Sequence, residues 1–404
     1  MENMVNKILS DREKKDNVIK SYSDSYQVVC LKANIPGINK NIKEAYVIIS
    51  VFDKMIKQFK PLKSMFYESY DGPYIIYLFN KDKNLKNKMM QLESKNKLGR
   101  FVDIDVYLNS SHSLNRTIPR KCYICDDFAL VCSRTQKHST KELLNYIEKI
   151  TSAYLKNLVK KMINEAMLKE LNLHPKFGLV TPLTNGSHKD MDYNLMINAK
   201  NAILNDLADM FMLGYNKDLP LDELFIQTRK IGIKADKHMF KATNNVNAYQ
   251  GLIFNLGLFL VNLGKALKDD LSMNDVYENI KEMSKCFINE GNFGARKQAA
   301  EGYVIIKELL TNYDLSKMNT LDILIYFINN LDDTVLLRRC KNQDILRSIM
   351  KKFKSLDSSK ELLINQVNND CIANNLSFGG CADLLVVSLF IFDFTNTFNK
   401  INHI

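Results

Sequence analysis

Residues 174–192 constrain the fold most, because this stretch cannot be a regular helix although long helical patterns lie on both sides of it. Its helix-breaking residues are Pro175, Gly178, Pro182 and Gly186. Proline removes a backbone donor and glycine weakens a helix, so the stretch predicts an ordered loop between two helices. His188, Asp190 and Asp192 follow where the next helix would begin, and a helix N-terminus attracts anions through its unpaired amides and dipole. A plain helix–helix connection capped by an aspartate explains the same spacing.

Composition narrows the class of protein. The chain has 404 residues, a length that suits two or three domains. Its net charge is +11. Its lysines are scattered along the sequence, so a polyanionic coenzyme derivative or an acidic carrier protein is as suitable a partner as a nucleic acid. Because the lysines form no block, we expect no nucleic acid as a partner. Because no uncharged apolar run reaches about 18 residues, we expect no membrane either. The eight cysteines, without an apolar signal segment at the start, predict reduced thiols or metal ligands and a cytoplasmic protein.

Secondary-structure signals change near residue 150. Strand patterns at 28–34, 63–70, 74–80 and 99–107 alternate with helical patterns at 43–59 and 84–96. From residue 140 to residue 398 almost every pattern is helical. We therefore predict two domains: an α/β domain with a mixed sheet over residues 1–150, followed by an all-α domain over residues 151–404.

Two carboxylates lie two residues apart on one predicted strand. Asp103 and Asp105 point to the same face of that strand, where together they can hold Mg²⁺. Arg100, three residues earlier, can meet a phosphate with its planar donor fork. Phosphoryl and nucleotidyl transfer need such a metal clamp. The alternative is an ordinary solvated strand face.

A cysteine cluster follows the acid pair. Cys122, Cys125, Cys132 and His138 have the spacing Cys-x₂-Cys-x₆-Cys-x₅-His, which supplies the ligands of a tetrahedral Cys₃His zinc site. Small buried thiols without a metal are the alternative.

Together these features resemble the apo-citrate lyase phosphoribosyl-dephospho-coenzyme A transferases over about residues 8–148. The matching positions are Gly99, Arg100, Asp103, Ile104, Asp105, Val106, Arg120, Cys122, Cys125, Ala129, Cys132, Arg134 and His138. The resemblance implies a nucleotidyltransferase-like domain that attaches a phosphoribosyl-dephospho-coenzyme A arm to a serine of the citrate lyase acyl carrier protein and releases diphosphate. It also implies that Arg120 and Arg134 bind phosphate. A carrier from a related malonate system remains open.

The loop and the helical half resemble the triphosphoribosyl-dephospho-coenzyme A synthases, over about residues 160–398. The loop matches at Lys176, Gly178, Leu179, Val180, Asn185, Gly186, His188, Asp190 and Met191. Further short matching segments follow along the chain in the same order as in the family. The resemblance implies displacement of adenine from ATP by a ribose hydroxyl of dephospho-coenzyme A, with His188 and Asp190 as catalytic residues.

Phosphate and metal ligands in the helical half follow from charge and backbone geometry. Asp190, Asp333 and Asp383 are candidate Mg²⁺ ligands, and glycine turns at helix starts let amides approach phosphates. The candidate phosphate and substrate contacts are Lys176, Asn185, Lys241, Asn247, Gly294, Arg296, Arg338, Gly379 and Gly380. Helix caps and surface ion pairs are the alternative for each of them.

Several positions depart from the synthase pattern. Gln250 replaces a lysine and Gln298 a glutamate, while Phe177 and Phe378 stand where the family has prolines. An amide cannot act as a general base. The principal hypothesis is a bifunctional enzyme. Two alternatives remain: an active transferase joined to a ligand-binding or structural helical domain, and a non-enzymatic, zinc-dependent interaction protein.

Overall fold

A computed structural model of the chain describes residues 2–109, 112–113, 119–286, 294–333, 336, 339–340 and 342–398. It divides into two compact units. Among the described residues, unit 1 comprises those of 2–155 and 396–398, and unit 2 comprises those of 156–395.

Unit 1 combines helices with a small sheet, as the sequence predicts. Its helices are α1 (Glu2–Ser23), α2 (Lys43–Lys57), α3 (Leu85–Lys95) and α4 (Ala129–Arg134). Its strands are β1 (Gln27–Ala33), β2 (Lys63–Tyr67), β3 (Tyr74–Phe79), β4 (Val102–Asn109) and β5 (His112–Ser113), and a 3-10 turn at Gly99–Phe101 leads into β4.

The sheet has the strand order β2-β3-β1-β4-β5, and its described neighbours all pair antiparallel. The prediction of a mixed sheet was therefore wrong. Helix α2 joins β1 to β2, which run in the same direction, but β3 lies between them and is antiparallel to both. Helix α3 likewise carries the chain from β3 past β1 to β4. The helical crossovers exist, yet the parallel strands they connect are never neighbours.

Both faces of the central strands are covered. On one face, Ile19 of α1 packs in a cluster with Val28, Cys30 and Ile76. On the other face, the Tyr77 hydroxyl donates to Asp53 Oδ1 of α2 at 2.7 Å. Burial on two faces explains why β1 and β3 read as continuous apolar runs in the sequence.

Unit 2 is helical in all its named elements. Helix α5 (Thr140–Leu171) begins in unit 1 and continues into unit 2. The following helices are α6 (Tyr193–Asn216), α7 (Leu221–Ala242), α8 (Gln250–Asp269), α9 (Met273–Ser284), α10 (Ala295–Ala300), α11 (Val304–Asn312), α12 (Thr320–Asn330), α13 (Gln343–Phe353), α14 (Glu361–Ala373) and α15 (Gly379–Thr397).

Helices α6 and α8 approach each other closely in unit 2. A side chain at Gly214 would clash with the Val261 carbonyl, and one at Gly264 would clash with the Phe211 carbonyl. The two glycines let the backbones touch, which fixes α8 in the centre of the unit.

Two helices, α8 and α15, are long and apolar enough to cross a membrane by length and composition alone. However, 78% and 67% of these spans are buried inside the protein. This burial is what the core helices of a globular unit require.

Candidate active sites

The predicted acid pair lies on β4 in unit 1. The cross-strand partners of Asp103 and Asp105 are Lys32 and Cys30 of β1, so both carboxylates stand on the face of the sheet that carries the Cys30 cluster. Arg120 Nη1 lies 2.5 Å from Asp103 Oδ1. Burial, and then the charge of Asp103, raise the pKa of Asp105. The pair is thus a place of unfavourable negative charge, which a cation would relieve.

A group of cations that the sequence analysis missed lies beside the acid pair. Arg12 Nη2 lies 3.0 Å from Asp71 Oδ1, Lys32 is hydrogen-bonded to the other oxygen, and Lys40 Nζ lies 4.0 Å from Oδ1. Burial lowers the pKa of Lys40, while the charges of Asp71 and Asp103 raise it. We call Arg12, Lys32, Lys40 and Asp71 the Asp71 cluster; it holds three positive charges against one negative charge. Lysines are too common in this chain for the sequence to single these out.

Of the three arginines predicted to bind phosphate in unit 1, Arg100 and Arg120 already have partners within the protein. Arg100 Nη2 donates to the Cys122 carbonyl at 2.8 Å, so it fastens the cysteine segment to the start of β4. Arg120 bridges Asp103 and the buried Glu93, at 2.5 and 3.3 Å. Arg134 is exposed at the end of α4. Of the three, only Arg120 contacts the acid pair directly.

The predicted cysteine cluster is assembled. One ligand atom from each of Cys122, Cys125, Cys132 and His138 lies within 4.8 Å of all the others. Within the part of the chain that the structure describes, this is the only group of three or more such ligands so close together.

In unit 2, residues 174–192 form an ordered loop between α5 and α6, which confirms the prediction. Ser187 Oγ donates to the Leu376 carbonyl at 2.6 Å, and Ser187 N donates to the Gly178 carbonyl at 2.8 Å. Asp192 caps α6 by accepting from Leu195 N at 2.8 Å. The loop is thereby held against the segment that begins α15.

Phe177 and Phe378, which replace prolines of the synthase pattern, both contact the ring of Phe353. Phe177 contacts Phe353 edge-on at 4.8 Å between centroids, and Phe353 contacts Phe378 at 5.3 Å. All three side chains are fully buried. Both replacements therefore take part in one aromatic cluster, which joins the loop to the segment that begins α15.

A cavity of about 330 Å³ opens where the loop, the start of α8 and the start of α15 meet. The predicted residues that line it are Lys176, His188, Asp190, Asn247, Gly379 and Asp383. The cavity is also lined by Glu170, Tyr249 and Arg339, which were not predicted from the sequence. Glu170 and Arg339 lie in no recognisable sequence motif. Tyr249 lies in the segment Asn-Ala-Tyr-Gln-Gly at 247–251, which departs from the synthase pattern, so the sequence did contain a signal for it.

His188 is held neutral between two partners. Arg339 Nη2 lies 3.1 Å from His188 Nδ1, and Ser377 Oγ lies 3.0 Å from Nε2. A guanidinium only donates, so Nδ1 accepts and Nε2 carries the proton that is donated to Ser377. Burial, followed by the positive charge of Arg339, lowers the pKa of His188 to about 4. In this arrangement the ring positions the loop and has no free lone pair for proton abstraction.

Asp383 is a half-buried acid in the cavity wall. Burial, and then the charges of Asp333 and Glu170, raise its pKa well above the usual range of a carboxyl. A side chain at Gly251 would overlap Asp383 Oδ2, so glycine there makes room for the carboxyl. The nearby Tyr249 hydroxyl is buried without a hydrogen-bond partner. These are the groups that can exchange protons or hydrogen bonds with a ligand.

Lys176 is already neutralised by Glu170. Its Nζ lies 2.7 Å from Glu170 Oε1 and also donates to the Glu170 carbonyl at 3.2 Å. Only 2% of the Lys176 side chain and 5% of the Glu170 side chain are exposed. The pair brings little net charge to the cavity, so a direct phosphate contact from Lys176 would have to compete with this ion pair.

The remaining predicted residues of unit 2 do not line the cavity. Asp333 accepts from Cys381 N at 3.0 Å and from Leu336 N at 3.2 Å, which makes it a cap at the start of α15 rather than a free metal ligand. Among the described residues, the predicted set Asp190, Asp333 and Asp383 is not gathered into one ligand group. The other residues outside the cavity lining are Asn185, Lys241, Gly294, Arg296 and Gly380. Arg338 lies outside the described residues.

Comparison with known proteins identifies the two parts. Residues 3–154 match the family of apo-citrate lyase phosphoribosyl-dephospho-CoA transferases, and residues 156–301 and 274–402 match the family of ATP:dephospho-CoA triphosphoribosyl transferases. An α/β unit and a helical unit that each match a transferase family define a tandem transferase. The chain belongs to the ATP:dephospho-CoA triphosphoribosyl transferase family, with an apo-citrate lyase phosphoribosyl-dephospho-CoA transferase domain ahead of it.

Whole-length relatives have the same arrangement. The chain is 28% identical to the protein CitXG of Leuconostoc mesenteroides subsp. cremoris, over 95% of this chain and 96% of that protein. It is 27% identical to the protein CitXG of Haemophilus influenzae, over 96% and 95%. A 2-(5''-triphosphoribosyl)-3'-dephosphocoenzyme-A synthase of Haemophilus ducreyi is 26% identical over 66% of this chain and 98% of its own length. Both matched families are enzymes, so the alternative of a non-enzymatic interaction protein is wrong.

Proposed function

We propose that this chain makes a coenzyme A-derived prosthetic group and attaches it to a carrier protein. Unit 2 would join ATP to dephospho-CoA and release adenine. Unit 1 would transfer the phosphoribosyl-dephospho-CoA group to a serine of the citrate lyase acyl carrier protein and release diphosphate. The observation that carries this proposal is the tandem match to both families over nearly the whole chain. The product of the second unit is then the substrate of the first.

In unit 2, the cavity supplies groups for exchanging adenine for a ribose hydroxyl. Glu170 lies in the cavity wall, where it is paired with Lys176, and it is our candidate for the base that takes the proton of the attacking hydroxyl. The unpaired Tyr249 hydroxyl can donate a hydrogen bond to the departing adenine. Glu170, Asp190 and Asp383 remain in the cavity wall, so Gln250 and Gln298 do not leave it without a base. This supports an active synthase over a structural remnant.

Asp190 and Asp383 are the candidate Mg²⁺ ligands in the cavity wall. The repulsion between Asp383, Asp333 and Glu170 is an observation that a bound cation fits. A magnesium ion would supply the positive charge that a triphosphate needs. Gly379, the first residue of α15, lines the same cavity, and the start of a helix suits phosphate oxygens.

In unit 1, we propose a nucleotidyltransferase-like site at β4. Asp103 and Asp105 would hold Mg²⁺, and the raised pKa of Asp105 beside Asp103 fits a cation there. The oxygen of the carrier serine would form a bond to the α-phosphorus, which stays attached to the ribose. The bond from that phosphorus to the departing diphosphate would break, and the serine proton would pass to solvent. The three cations of the Asp71 cluster would bind the departing diphosphate. Arg120 would position Asp103.

Separate assays of the two steps test this proposal. Adenine release from ATP and dephospho-CoA reports unit 2, and the intact mass of the carrier after addition of synthetic triphosphoribosyl-dephospho-CoA reports unit 1. We expect Asp383→Asn to lose only adenine release and Asp103→Asn to lose only carrier modification. Matched controls are the exposed acids Asp344→Asn in unit 2 and Asp24→Asn in unit 1. Loss of both steps in either single variant, or of neither, would contradict the assignment.

A further inference from the structure

The segment around the cysteine cluster has no hydrophobic core of its own. Between residues 119 and 139, only Cys122 and Cys132 are buried, while the large apolar side chains Ile124, Phe128 and Leu130 are 41%, 51% and 62% exposed. A segment this short cannot stay ordered by burial alone and usually needs a disulfide or a metal. All four sulfur and imidazole groups nevertheless converge to within 4.8 Å.

The local backbone is shaped like a metal-binding turn. The N–H groups of Ile124 and Cys125 donate to the Cys122 sulfur, and Cys122 N donates to the Asp127 carbonyl at 2.7 Å. Helix α4 then brings Cys132 Sγ to 3.3 Å from Cys122 Sγ. His138 follows α4, and its Nε2 is buried without a hydrogen-bond partner. A buried nitrogen without a hydrogen-bond partner is destabilising, and coordination to a metal would remove that cost.

We propose that Cys122, Cys125, Cys132 and His138 bind one structural zinc ion. Three thiolates and one imidazole form a closed tetrahedral ligand set, which leaves no open position for substrate. These cysteines are free thiols in the structure, so the segment is not stabilised by a disulfide between them. The family matches and relatives name no metal, and the zinc site is independent of the proposed reactions.

The zinc site also positions the transferase site. Arg100 holds the Cys122 carbonyl, and Tyr123 donates to the Asn34 carbonyl at 2.8 Å while its ring contacts Phe101 edge-on. Arg120, two residues before Cys122, reaches Asp103. A zinc ion that orders this segment therefore fixes the arginine on the acid pair. This second step rests on the proposed function of unit 1, whereas zinc binding does not.

Metal analysis of the purified full chain tests the zinc site directly. We expect one zinc per chain in the wild type and in the matched control Cys286→Ser, which alters an exposed thiol elsewhere. Cys132→Ser should lose the zinc. Because loss of zinc in that variant would not distinguish lost coordination from misfolding, His138→Cys provides the second arm. It should keep one metal, and its cobalt-substituted form should change from a three-thiolate to a four-thiolate spectrum.

Two results would overturn zinc binding: a wild-type chain that takes up neither zinc nor tetrahedral cobalt, and a His138→Cys spectrum identical to that of the wild type. The link to transfer is tested by removing zinc with a zinc-selective chelator. Carrier modification should fall at least tenfold and return with zinc but not with magnesium, while adenine release is unchanged. Full transfer by the zinc-free protein would refute the positioning role and leave zinc binding intact.

Discussion

Acidification provides a quantitative test of the environment of His188. The folded protein keeps this ring neutral down to about pH 4, whereas the unfolded chain binds a proton near pH 6.5. The folded state therefore binds fewer protons in this window. The stability due to the neutral ring is present above about pH 6.5 and is lost as the pH falls towards 4. A drop of the pKa from 6.5 to about 4 corresponds to roughly 3 kcal/mol, and we expect about 2 kcal/mol because the ring is partly exposed to solvent.

The assay combines denaturant unfolding with NMR of histidine-labelled protein. Other carboxyl groups titrate in the same range, so the relevant quantity is the difference in unfolding free energy between the wild type and His188→Asn. The wild type should lose about 2 kcal/mol more than the variant between about pH 7 and pH 4.5. The His188 signal, assigned by its absence in the variant, should not titrate in that range. In Arg339→Gln its pKa should rise. Ordinary titration near 6.5 in the wild type would refute the burial of the His188 ring and its contact with Arg339.

Further predictions concern the packing and the acids of unit 2. Phe353→Ala should lower the unfolding free energy by about 3–5 kcal/mol, measured with urea, because the ring joins Phe177 to Phe378; a loss below about 1 kcal/mol would contradict that role. Gly251→Ala should displace Asp383 and slow adenine release, and normal kcat would argue against the close contact. Asp383→Asn should raise stability at neutral pH, because it removes the cost of ionising a buried acid, and should abolish adenine release; lower stability at neutral pH would contradict this reasoning.

Sequence patterns gave the outline of the fold because they report local periodicity. The loop at 174–192, the long helices around it and the strands of unit 1 follow from proline, glycine and apolar spacing. Strand order does not follow from such spacing. Nothing local to β1 or β2 indicates that β3 comes to lie between them, and the expectation of a mixed sheet failed for that reason.

The candidate sites were predicted in part for the same reason. His188, Asp190 and Asp383 carry motif signals, and the structure places all three in one cavity wall. Asp333 has the same chemistry, but its position at the start of α15 makes it a cap, and spacing cannot distinguish a cap from a ligand. Glu170 reaches the cavity only through the packing of α5. The cations of the Asp71 cluster come from three separate segments, so only the folded chain reveals them.

The most direct test of the central claim is the intact mass of the apo-carrier after incubation with this protein, ATP, dephospho-CoA and Mg²⁺. The account predicts a carrier heavier by one phosphoribosyl-dephospho-CoA group, with adenine and diphosphate released in equal amounts. An unmodified carrier, in a mixture where added triphosphoribosyl-dephospho-CoA also fails to modify it, would contradict the account.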